Sequence, residues 1–133
     1  MRQDYLGMSY VVLVILKEDK LYINFYYLFI YKMKVEIYKS DKPDKKYKIV
    51  VLDGKTKKTI HIGQAGADDY TITKDLEQKN RYTSRHKSRE DWTKIGIKSA
   101  GFWAYHLLWS KPSLTESIKD IKQKFNVEIF RKF

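Results

Sequence analysis

Asp53-Gly54 stands between two β-rich runs, and that arrangement constrains the fold of this 133-residue chain more than any other feature. Tyr47-Lys48-Ile49-Val50-Val51-Leu52 precedes it, and Lys57-Lys58-Thr59-Ile60-His61-Ile62 follows. Glycine accepts the positive φ that tight hairpin turns require, so the two runs are expected to pair as an antiparallel hairpin. Upstream, Lys34-Val35-Glu36-Ile37-Tyr38-Lys39 alternates polar and apolar residues, as a strand with one buried face does. Ser40–Lys46, with Pro43, reads as a charged loop. Ile60 and Ile62 are expected to point inward.

The second half of the chain reads as helical. Thr73 is placed to cap a helix, with Asp75 and Glu77 favouring the positive end of its dipole. The polar run from Asp75 to Trp92 has only Leu76, Tyr82 and Trp92 as clear apolar residues, so it is expected to lie mostly in solvent or on a charged partner. Ser99 caps an apolar stretch from Ala100 to Trp109. It is expected to be the central buried helix, with Phe102, Trp103 and Leu107 in the core and His106 as a core or boundary histidine. Lys111-Pro112 ends it. Ser113-Leu114-Thr115-Glu116 is a capping box, and the helix it opens carries Leu114, Ile118, Ile121 and Phe125 on one face. Asn126–Phe130 alternates as a last strand. The expected fold is α+β: a small antiparallel sheet, made of the hairpin around Asp53-Gly54 plus the C-terminal strand, packed against about three helices.

Residues 1–33 differ from the rest. They hold four basic and three acidic residues, whereas residues 34–133 hold 23 and 13, so nearly all the excess charge lies after Met33. The apolar run Val11–Leu16 is separated from Leu21–Tyr31 by Lys17-Glu18-Asp19-Lys20, and neither half has the roughly 18–20 residues of a membrane span. No small-residue cleavage site follows. Two readings stay open: a β-hairpin turning at Lys17–Lys20, and AT-rich upstream DNA read as protein, with the true start at Met33. Membrane association is the least favoured. Residues 34–133 are expected to form a single basic domain.

The chain has no cysteine, which excludes disulfides, thiolate zinc sites and cysteine nucleophiles. Walker and dinucleotide glycine patterns are missing. Gly63-Gln64-Ala65-Gly66 has the spacing of the loop in KH-type RNA-binding modules. That loop joins two helices, however, whereas this one leaves a strand and is followed by two acidic residues; a plain turn into the next helix is the simpler reading. The net charge of +11 points to an anionic partner. Lysine outnumbers arginine 22 to 5, a usage expected of an AT-rich genome, so part of the charge reflects codon drift.

Arginine placement is more informative. Arg81, Arg85 and Arg89 stand four apart and would form one stripe on a helix, with Tyr82, His86 and Lys87 beside it. Arginine is the weakly hydrated, bidentate phosphate ligand, and drift toward AT would have replaced it with lysine. The expected site is therefore a helix that contacts nucleic-acid phosphates through Arg81, Arg85, Lys87 and Arg89, with Tyr82 stacking and His86 adjacent. On the competing reading Arg81 pairs with Glu77, and Arg85 and Arg89 with Asp68, Asp69, Glu90 or Asp91. Two further functions are weighed: a virion structural or protein-interaction module, and a phosphodiester enzyme using Asp68, Asp69, His86 and Glu90 with a divalent metal. The first choice is non-enzymatic, with no cofactor and no small-molecule substrate.

The blocks Gly66–Thr71, Arg81–Trp92, Ala100-Gly101-Phe102-Trp103, Leu108-Trp109 and Ser113–Ile121 together resemble an uncharacterised family of small basic proteins from large DNA viruses of algae and protists. The resemblance runs from about Tyr47 to Phe125. It implies a protein acting in the host cytoplasm or nucleus, or in the virion, and not secreted. Its partner would be DNA, RNA or an acidic viral protein. It supplies no activity, cofactor or catalytic residue.

Overall fold

The computed structural model of the chain describes residues 32–133. The readings made above for the N-terminal segment lie outside the described residues. β1 spans Lys34–Lys39, β2 Lys45–Asp53 and β3 Thr56–Gln64. The β2–β3 hairpin pairs Asp53 with Thr56, leaving Gly54 and Lys55 as the turn. Only Gly54 of these two has positive φ (63°), the pattern of a II′ turn, whose twist matches that of the flanking strands.

Four α-helices follow, with a 3-10 turn at Lys94–Gly96 between the second and the third. α1 is the single turn Tyr70–Thr73 and α2 is Leu76–His86. α3, Ala100–Trp103, runs directly into a π-helical stretch, Ala104–Trp109; α4 is Leu114–Phe125. β4, Glu128–Arg131, closes the sheet in the order β3-β2-β1-β4. Ser99 accepts from the Phe102 N–H and Ser113 from the Glu116 N–H, so both expected caps are present. The Thr73 cap is corrected. Tyr70–Thr73 closes as its own turn through Lys74 in the left-handed region, and Asp75 then caps α2 by accepting from the Glu77 and Gln78 N–H groups.

The α+β architecture is as expected, with one difference in strand direction: β4 pairs with β1 in parallel, so the sheet is mixed. The connection permits this, because parallel neighbours need a long crossover, and the helical segments between β3 and β4 supply one. Val35, Ile37, Ile49, Val51, Ile60 and Ile62 project from one face of the sheet into the helical layer. There they meet Phe102, Trp103, Leu107 and Ile121, each fully buried. Trp103 also donates its indole N–H to the Ile97 carbonyl at 2.6 Å.

The π-helical geometry, closed by Ser110 N–H donating to the Tyr105 carbonyl, buries three successive residues, His106, Leu107 and Leu108. His106 is 4 % exposed and ringed by Phe102, Tyr105 and Phe125. Its Nε2–H donates to the Trp92 carbonyl at 2.8 Å, while Nδ1 has no partner. Burial lowers its pKa below the ordinary histidine value. The unfolded chain therefore takes up this proton more readily than the folded one. Stability is expected to be complete above about pH 6.5 and to decline as pH falls from that value toward the depressed one. Urea midpoints measured between pH 7 and pH 5 should show the decline, and His106→Gln, which keeps a donor for the Trp92 carbonyl, should flatten it. A curve unchanged by the substitution would refute this assignment.

A second expectation concerns the loop before α3. A Cβ at Gly96 would lie 2.0 Å from the backbone oxygen of Asp91, which has no slack to move. Gly96→Ala is expected to cost about 1–3 kcal/mol, as overpacking typically does, seen as a lower urea midpoint at constant slope.

Candidate nucleic-acid interface

α2 buries one residue. Tyr82 is 7 % exposed, stacked on Trp109 (centroids 4.5 Å, 8°) and on His86 (4.1 Å, 19°). Burial, and after it the charge of Glu90, raises the phenol pKa. Lys79, one turn earlier on the same face, donates to the Ser110 carbonyl at 2.7 Å. Helical periodicity then turns Arg81 and Arg85 to solvent. The stacking role expected of Tyr82 is corrected here, because Trp109 and His86 occupy its two ring faces.

The helix also ends earlier than the polar run suggests. Its last residue is His86, and the Arg89 N–H donates to the His86 carbonyl in a following turn. Arg89 therefore stands beyond the ridge that carries Arg81 and Arg85, and the three do not form one helical stripe. The physical cause is a clasp. Glu90 takes the His86 imidazole at 2.9 Å with one carboxylate oxygen and the Trp92 indole N–H at 3.1 Å with the other. Trp92 in turn stacks on Tyr105 (3.9 Å, 11°). Continuing the helix would carry Trp92 away from that apolar contact. Gly101 leaves room for the clasp, since a Cβ there would meet the Glu90 side chain at 2.8 Å. His86 is thus a positioning residue, held between Tyr82 and Glu90.

The acidic residues are occupied in several ways. Asp69, 2 % exposed, accepts from Lys46 Nζ at 2.6 Å and from the Thr71 N–H and hydroxyl, so it caps α1. Asp91 accepts from the Thr93 hydroxyl and N–H, which hold its carboxyl below the usual range. Arg81 lies 3.8 Å from Glu77 in an exposed pair. Arg85, Lys87 and Arg89 are exposed and have no ion pair among the described residues. Asp69 and the His86–Glu90 pair belong to separate local networks, and among the described residues no three metal-ligating side chains converge. The four residues named in the phosphodiester-enzyme reading are thus not gathered into one cluster here.

The sequence of residues 35–86 matches the model of a family of unknown function (DUF5754). The matched stretch runs from β1 to His86, the last residue of α2, and is less than half of the chain. No curated protein and no solved structure matches. No helix among the described residues is long and apolar enough to cross a membrane.

Proposed function

We propose that this chain binds nucleic acid through its phosphate backbone, using Arg81 and Arg85 on α2 together with Lys87 and Arg89 in the turn after it. The observation that carries the reading is the exposure of Arg85, Lys87 and Arg89 with no carboxylate partner among the described residues. Cations at this position suit the negative end of the α2 dipole, yet their heads remain in solvent, able to exchange condensed counterions for phosphate contacts. The surroundings add to the positive potential. Lys79 has its pKa lowered first by burial and then by the charges of Lys111 and Lys124.

Tyr82, His86 and Glu90 act here as the frame that holds the α2 end, not as contacts. Sequence-independent binding is expected, because phosphate contacts carry no base information. The resemblance to proteins of large DNA viruses supplies the setting of the proposal: viral nucleic acid in the infected cell or in the particle. Binding of single- and double-stranded oligonucleotides, titrated across a salt series, tests it. Absence of binding at low salt removes it.

A further inference from the structure

We propose that the outer edge of β4, unpaired among the described residues, and the adjoining face of α4 form a docking groove for an extended acidic peptide, which adds to the sheet as a fifth strand. The site shares no residue with the α2 surface. β4 is the outer strand of the sheet, and among the described residues it pairs only with β1. The Glu128 N–H donates to the Met33 carbonyl at 2.9 Å and the Lys132 N–H to the Ile37 carbonyl at 2.8 Å. Backbone groups alternate along a strand, so the N–H and C=O groups of Ile129 and Arg131 face outward, where a further strand would meet them.

The space beside this edge has the shape and chemistry to accept one. A groove of about 460 Å³ lies between α4 and β4, walled by Ile118, Ile129, Lys119, Lys122 and Arg131. A second, of about 350 Å³, shares Lys122 and Ile129 and adds Lys32 and Phe130, the latter 43 % exposed. Among the described residues, four cations therefore surround an apolar floor, against one carboxylate, Glu128. None of the four is in an ion pair among the described residues, although Arg131 lies 4.5 Å from the Phe133 ring.

Charge complementarity selects an acidic occupant. The outward backbone groups select an extended peptide over a nucleic-acid strand, whose phosphates have no N–H or C=O rows to match them. Side chains of an added strand alternate between faces. Groove-facing positions reading carboxylate, small apolar, carboxylate would meet the lysine rim, the Ile118–Ile129 floor and Arg131.

The probe is a fluorescein-labelled hexapeptide, Glu-Thr-Val-Thr-Glu-Thr, titrated with the full chain by anisotropy at low salt. Saturable binding is expected, weakened by about tenfold or more (one or two lost polar contacts) in each of three changes. These are lysine for both glutamates of the peptide, N-methylation of the peptide on alternate residues in one of its two phases, and Lys119→Glu with Lys122→Glu in the protein. Exchanging Arg81, Arg85 and Arg89 for alanine should leave peptide affinity unchanged. Should the double lysine variant fail to fold, amide shifts at Ile129 and Arg131 on adding the peptide to the unaltered chain supply the decision. The proposal is overturned by equal affinity for the lysine peptide, by indifference to N-methylation in both phases, or by unshifted amides at Ile129 and Arg131. It is likewise overturned if the lysine variant loses oligonucleotide binding while keeping the peptide.

Discussion

Alanine at Arg81, Arg85 and Arg89 together is expected to weaken oligonucleotide binding at low salt and, more tellingly, to flatten its salt dependence. Each phosphate contact on duplex DNA adds about 0.9 to the slope of log affinity against log salt. Three lost contacts lower that slope by roughly 2.7, so between 50 and 200 mM salt the unaltered chain should lose about 40-fold more affinity than the variant. Folding should be unaffected, because all three side chains are exposed and the pair of Arg81 with Glu77 is a solvent-exposed one at 3.8 Å. Lysine at the same three positions should retain most of the slope, since it keeps the charge, while losing affinity through the missing bidentate geometry. An alanine variant with undiminished affinity and an unchanged slope would sink the proposed function.

The largest effect on stability is expected from Trp103→Ala. Trp103 is fully buried, packs edge-on against Phe102 at 5.2 Å and satisfies the Ile97 carbonyl. Truncating a buried aromatic costs about 3–5 kcal/mol, against a total of about 5–15 kcal/mol for a domain. The variant should be marginal at best. Trp103→Phe separates the two contributions: it restores most of the volume but leaves the Ile97 carbonyl without its donor, an expected loss of about 1–3 kcal/mol. Urea unfolding followed by far-UV circular dichroism reads both. Equal stability of the phenylalanine variant and the unaltered chain would show that the indole hydrogen bond contributes nothing.

Which of these features the amino-acid sequence disclosed follows from how local each one is. The Asp53-Gly54 turn and the Ser99 and Ser113 caps depend on residues within a few positions of one another, and they stand where the pattern placed them. The direction of β4 depends on which end of β1 the chain returns to, and no local signal carries that. The α2 terminus was hidden for a related reason. No glycine or proline stops the helix after His86; the stop is a carboxylate gripping an imidazole and an indole, and the indole is held by Tyr105. Tyr82 looked available because its own helix is polar, but its partner Trp109 comes from the π-helical stretch. Likewise Asp69 reads as a candidate ligand or arginine partner until Lys46, at the start of β2 beside the end of β3, reaches it.

The parallel pairing of β1 with β4 has a consequence for how the protein is made. Val35 faces Ile129 across this pairing, so the first described strand waits for the last. A nascent chain on the ribosome can close the β2–β3 hairpin and wind its helices early, but among the described residues nothing pairs with that edge of β1 until Glu128–Arg131 has been made. Such an edge is a template for pairing with another chain. Among the described residues, a product broken off before Glu128 would have no partner for that edge, the form in which a quality-control protease or an aggregate would meet this protein.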